Sequence, residues 1–87
     1  MPTSPEHVRE ALASAVRELR GRKRLSQEAV AADAGLNRKT IGTLERAQSL
    51  PSFLAVVAIA DAMEVPLSEL VVVYEQRLAE LRGPSAR

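Results

Sequence analysis

Between Gln27 and Arg46 the chain reads QEAVAADAGLNRKTIGTLER, an order of small, apolar and cap-forming residues that admits few structures. Ala31 is small enough for two helices to cross closely, and Gly35, four positions on, supplies the backbone freedom for a sharp turn. Val30, Ala34 and Leu36 flank that turn. Ile41 and Leu44 lie three apart on one stripe of a second helix that packs back onto the first. Ser26 caps the first of these helices, with Leu25 and Val30 as a hydrophobic staple, and Asn37 caps the second, with Leu36 and Ile41 in the same role. On a helical wheel anchored at Ile41, Asn37, Leu44 and Glu45 point inward. Lys39, Gly42, Thr43 and Arg46 point outward, and Arg38 lies on the flank.

The flanking sequence is helical too. Ser4, Pro5 and Glu6 combine a hydroxyl cap, a proline whose missing N–H is harmless and a carboxylate at the positive dipole end. Val8, Leu12, Ala15, Val16 and Leu19 continue that helix from about 5 to 21, where Gly21 and the cations Arg22, Lys23 and Arg24 end it. Cations at a helix C-terminus complement its dipole whatever the function. Pro51 and Ser52 open a fourth helix whose segment FLAVVAIA, 53 to 60, has no polar side chain on any face. Phe53, Val56, Ile59, Ala60 and Met63 are expected in the core, which leaves Leu54, Val57 and Ala58 to meet water unless something covers them. Pro66 starts a fifth helix in which Leu67, Leu70 and Val71 close the core. Val71, Tyr74, Leu78 and Leu81 follow a three-four spacing over two heptads. One domain is expected over 1–82, with a disordered tail at 83–87.

Composition narrows the class. With one Phe, one Tyr and no Trp, a core must come from Leu, Val, Ile, Ala and Met, which suits close-packed helices better than a sheet sandwich. The absence of cysteine excludes disulfides and thiolate metal sites, the lone His7 cannot hold zinc unaided, and no cofactor is expected. Neither a Ser/His/Asp set, a paired carboxylate cleft nor a phosphate loop is present. Glu28 and Asp33 read as solvated helix surface, and an enzyme is not expected. No apolar run approaches a membrane span and MPTSPEHVRE lacks the order of an export signal, so the expected location is the cytoplasm, away from membranes. The net charge is only +1, but its sign is uneven: residues 1–25 carry six cations against three carboxylates, whereas residues 51–87 carry five carboxylates against three cations. One positive face with a neutral-to-acidic opposite face follows.

These motifs resemble the lambda-repressor-like, or XRE-type, helix-turn-helix family from about Leu12 to Leu70. The family's first-helix arginine falls on Arg20, and its apolar-Ser-Gln start of the second helix on Leu25, Ser26 and Gln27. LER at 44–46, Pro51 with Ser52, and VPLSEL at 65–70 also follow the pattern. Three glycines of that pattern are replaced here by Arg24, Ala47 and Glu64, so the chain ends at those points are expected to close without a left-handed residue.

The resemblance implies an all-α, five-helix fold with an extended C-terminal helix and a partner in double-stranded DNA. Family docking places Arg38, Lys39, Gly42 and Thr43 nearest base edges, with Arg38 able to give two parallel bonds to guanine. Gly42 would let backbone approach the DNA, or is a tolerated neutral glycine. Phosphate contacts would come from Ser26, Gln27, Asn37 and Arg46, and from the cluster Arg22, Lys23 and Arg24. Arg20 and Glu45 are expected to pair and hold the reading helix. A homodimer on an inverted-repeat operator would use Leu54, Val57, Ala58, Val71, Tyr74, Leu78 and Leu81, unless Leu78 and Leu81 fold back on the first helix. Within the family, GLNRKTIGTLER and the single-domain size are similar to restriction-modification controller proteins, ahead of phage-type repressors and antitoxins. A different class of function is an antitoxin-like interaction module that grips a protein through the fourth and fifth helices.

Overall fold

A computed structural model describes residues 3–83; of the tail expected at 83–87, residues 84–87 lie outside the described residues. Five helices follow one another: α1 (Pro5–Arg22), α2 (Gln27–Ala34), α3 (Arg38–Glu45), α4 (Phe53–Ala62) and α5 (Leu67–Arg82), with no strand among the described residues. Four of the starts are capped by side chains that bond the amide three residues on. Ser4 accepts from His7 N–H, Ser26 from Ala29, Asn37 from Thr40 and Ser52 from Ala55. Each cap is worth about 1 kcal/mol. Pro66 precedes α5 without a side-chain bond, its fixed φ of −63° setting the chain for the first turn.

The ends are equally uniform. After α1, α2, α3 and α4 the chain closes with a pair of backbone bonds, one spanning three residues and one spanning five. Arg24 and Leu25 N–H reach Gly21 and Arg20 carbonyls; Gly35 and Leu36 reach Ala32 and Ala31; Ala47 and Gln48 reach Leu44 and Thr43; Glu64 and Val65 reach Asp61 and Ala60. This is the Schellman closure, and its first residue is left-handed. Glycine fills that position once, at Gly35 (φ 71°). Arg24 (φ 56°), Ala47 (φ 59°) and Glu64 (φ 59°) adopt the same conformation with a side chain attached. The expectation that those three ends would avoid a left-handed residue is therefore wrong. Side-chain strain of roughly 1–2 kcal/mol per site is offset by two backbone bonds worth about 0.5–1.5 kcal/mol each. At three of the four ends an apolar residue, Leu25, Leu36 or Val65, then turns back to the core.

The core is aliphatic, as composition requires: Val16 and Leu19 of α1, Val30 and Ala31 of α2, Ile41 and Leu44 of α3, Ile59 and Met63 of α4, and Leu70 and Val73 of α5 are all buried. α1 packs most extensively against α5, α2 lies between α3 and α4, and α3 also rests on α1. Three placements depart from the sequence reading. Phe53, expected in the core, is 72 % exposed, and Val71 is exposed while Val73 takes the buried place on α5. Leu78, expected on an outer face, is buried. Its helix is held along α1 by Arg77, whose guanidinium bonds Glu18 at 2.8 Å and Glu80 at 2.7 Å, while Glu18 also pairs with Arg22.

Candidate nucleic-acid interface

Three residues, 35 to 37, separate α2 from α3. Gly35 turns the chain in the left-handed region, and nothing lies within 4 Å of where its β-carbon would stand, so backbone angle rather than crowding requires glycine there. Ala31 is buried, 2 % exposed, within the core that the helices share. Asn37 then starts α3: its Oδ1 accepts from Thr40 N–H at 2.8 Å and from Thr40 Oγ1 at 2.9 Å, so the side chain is spent as a cap on the exposed surface, not directed inward. Arg38 and Lys39 follow at once, both exposed on the first turn of α3.

The rest of α3 is less bare than the wheel suggests. Thr43 is half-buried; its hydroxyl donates to the Thr40 carbonyl at 3.1 Å and accepts from Ser49 Oγ at 3.3 Å. Gly42, expected to face outward, is buried. The atoms over it belong to Arg46, whose Nη1 lies 3.1 Å from the position of an added β-carbon. Arg46 itself is exposed and donates from Nε to Gln48 Oε1 at 3.3 Å. Gln27, Arg38, Lys39, Gly42 and Arg46 line one open hollow of about 440 Å³. Three cations and no carboxylate border it, which makes it the anion-seeking part of α3.

Glu45 explains how α3 is held. It is the only buried charged residue among the described residues, at 4 % exposure. Arg20 grips it with two parallel bonds, Nε to Oε2 at 2.6 Å and Nη2 to Oε1 at 2.8 Å, and Gln27 Nε2 adds a third at 2.9 Å. The bond to Glu45, and less so its negative charge, hold the Arg20 guanidinium above its ordinary pKa against the effect of burial. Arg20 Nη1 also donates to the Leu25 carbonyl at 2.9 Å, so one side chain fixes the α1–α2 turn and α3 together. Sequence reasoning missed Arg17, which donates to the Glu45 carbonyl and satisfies one of the open C-terminal carbonyls of α3. Its spacing of three from Arg20 puts both on one side of α1, a signal that could have found it. Gln27 is likewise half-buried and tied to Glu45 as well as bordering the hollow.

Other candidates scatter. Ser26 is exposed, with its Oγ occupied by the Ala29 amide. Of the basic cluster, Arg22 is paired with Glu18, and Lys23 and Arg24 are exposed. Of the apolar set on α4 and α5, Leu54 is 79 % exposed, Val71 and Leu81 less so, Val57, Ala58 and Tyr74 are half-buried, and Leu78 is covered. Leu50, Phe53 and Val72 are exposed without having been expected. No group of side chains among the described residues could hold a metal ion, and no described helix is long and apolar enough to cross a membrane.

The fold is shared with known proteins. It is similar to the clp gene regulator ClgR from Corynebacterium glutamicum in two crystal structures. One has a TM-score of 0.80 at 20 % identity, covering 85 % of this chain and 79 % of that one. The other has a TM-score of 0.78 at 20 % identity, covering 91 % and 97 %. It is also similar to the restriction-modification controller protein C.AhdI from Aeromonas hydrophila, with a TM-score of 0.68 at 35 % identity over 71 % of this chain and 94 % of that one. No curated protein sequence matches. The family model described as a helix-turn-helix domain matches residues 11–71, from the middle of α1 into α5 and across the capped α2–turn–α3 unit, and the chain belongs to that family.

Proposed function

We propose that the protein is a sequence-specific regulator of transcription that binds double-stranded DNA as a homodimer on an inverted repeat. The observation that carries this is the exposed, acid-free hollow bordered by Arg38, Lys39 and Arg46 on a helix whose angle is fixed from behind by Arg20 and Glu45. An α-helix fits the major groove, and the amide-rich start of α2, with Ser26 and Gln27, suits a phosphate beside it. The 35 % identical C.AhdI is a restriction-modification controller, which supports a regulatory role and favours that branch of the family. One reading helix spans too few base pairs for genomic discrimination, and a two-fold pair on half-sites about 34–36 Å apart removes that limit. The exposed Phe53, Leu54, Val71, Val72 and Leu81 are the apolar groups available to such a pair.

Selection of duplexes from a random pool, followed by binding titrations, tests the DNA reading. An inverted repeat is expected to be enriched, with a steep salt dependence. Arg38→Ala should weaken binding by about 1–3 kcal/mol per half-site and relax the preference at one base position in each. Failure to enrich any duplex removes the proposal. Sedimentation tests the dimer separately: at tens of micromolar protein a species of twice 9.4 kDa is expected, shifted to the monomer by Leu54→Asp. A 9.4 kDa species alone would remove it. A second reading, an antitoxin-like module gripping a protein through α4 and α5, is favoured by the 72 % and 79 % exposure of Phe53 and Leu54. Salt-insensitive association with a protein partner, without duplex enrichment, would select it.

A further inference from the structure

Glycine in the interior of α3 carries a cost of about 1 kcal/mol relative to alanine, and Gly42, although it borders the hollow, is buried with another side chain lying over it. What occupies the space is the guanidinium of Arg46. An added β-carbon at Gly42 would stand 3.1 Å from Nη1 and 3.9 Å from both Cζ and Nη2, so the planar head lies against the glycine. The position follows from helix geometry: side chains lean toward the N-terminus, and residue 46 passes over residue 42, one turn back. A cation at the end of a helix ordinarily reaches outward or toward the last carbonyls. Here the charge is folded back to the middle of α3, into the same hollow as Arg38, Lys39 and Gln27.

Its bonding leaves it ready for a ligand. Arg46 Nε is held by Gln48 Oε1 at 3.3 Å, and among the described residues Arg46 forms no ion pair, while Nη1 and Nη2 have no protein acceptor. Arg17, Arg20, Arg22 and Arg77, by contrast, each donate to a carboxylate or a carbonyl through at least one terminal nitrogen. We propose that Arg46 is a base-reading residue, directed at a guanine edge through its two terminal nitrogens, and that Gly42 is its positioning residue. This assignment rests on the DNA-binding reading above. It moves Arg46 from the phosphates to the groove floor and replaces backbone approach as the reason for glycine. The two donors of a guanidinium fork match guanine O6 and N7, and a head seated at mid-helix enters the groove with the helix.

The test uses the duplex that the wild-type chain enriches from a random pool and a scrambled duplex of the same length, with Arg46→Ala, Gly42→Ala and the double variant. Arg46→Ala is expected to weaken the enriched duplex by roughly 5- to 150-fold for each half-site occupied, the range of one bidentate base contact. It should weaken the scrambled duplex by less than about threefold, and repeated selection should lose a guanine at one position per half-site. Gly42→Ala displaces the flexible guanidinium and is expected to weaken the enriched duplex in the wild-type background but not in the Arg46→Ala background. Its melting temperature should be no lower than wild type, because alanine is the better helix former. Equal losses on both duplexes would make Arg46 a phosphate contact and overturn the assignment. An equal loss from Gly42→Ala in both backgrounds would restore the backbone-approach explanation and overturn the role of Gly42. Enrichment of a duplex that Arg46→Ala binds as well as wild type sinks this inference alone, whereas no enrichment by wild type sinks the DNA reading beneath it.

Discussion

Replacing Arg20 with alanine is expected to destabilise the fold by about 3–5 kcal/mol, because it strands a carboxylate whose side chain is 3 % exposed. At about 0.05–0.15 kcal/mol per residue, a chain of 87 residues has a total margin of roughly 4–13 kcal/mol, so the variant is at risk of not folding at 37 °C. Gln27 still donates one bond to Glu45 but brings no charge to balance it. Glu45→Ala should cost less, about 2–3 kcal/mol, since the Arg20 side chain is 22 % exposed and its freed guanidinium can reach water. Glu45→Gln, which keeps acceptor geometry on one oxygen, should fall between wild type and Glu45→Ala. Chemical denaturation with the denaturant slope unchanged is the measurement. An Arg20→Ala variant that unfolds at the parent midpoint would show that the pair does not hold α3. Under the proposed function, duplex binding should weaken with stability in this series, and Gln27→Ala should lower both by a smaller amount.

The second large effect has the opposite sign. Glycine at Arg24, Ala47 and Glu64 removes the side-chain strain of the left-handed region at three helix ends, and that relief of roughly 1–2 kcal/mol per site exceeds the 0.5–1 kcal/mol that glycine loses through its freer unfolded chain. The net gain is about 0.5–1 kcal/mol each. The sites lie at the ends of three different helices, so the gains should add, and the triple variant should melt on the order of 10 °C higher. Gly35→Ala is the internal control: space for a β-carbon is open, only the φ of 71° opposes it, and it should lose what the others gain. A triple variant melting at or below the parent would mean that Arg24, Ala47 and Glu64 make compensating contacts in the folded chain.

What was legible in the sequence was what is decided locally. Ser4, Ser26, Asn37 and Ser52 mark helix starts because a short polar side chain beside free amides has one good partner, and Gly35 marks the turn because its φ excludes most other residues. The three replaced glycines misled for the complementary reason: the left-handed angle is imposed by the paired closing bonds, and an alanine, an arginine and a glutamate yield to them. On α4 the periodicity had nothing to report, since FLAVVAIA is apolar on every side, and Phe53 fell outside the core because only packing with α2 and α5 decides which side is covered. Leu78 was drawn inward by α1, a neighbour sixty residues away in sequence that no local pattern names. At the candidate site, Arg38 and Lys39 follow directly from the cap at Asn37. The fold-back of Arg46 over Gly42 depends on the rotamer of one long side chain, which a helical wheel does not contain.

The clasp between the outermost helices fixes where attachments leave the molecule. Arg77 meets Glu18, while Leu81 shares a cleft with Glu10, Ala13 and Ser14, so α5 runs antiparallel to α1 and finishes beside the first half of that helix. A label attached near residue 3 or near residue 83 is therefore carried on the same half of the domain. A permuted chain, joined there by a short linker and reopened in the 48–51 loop, would retain all five helices in their present arrangement.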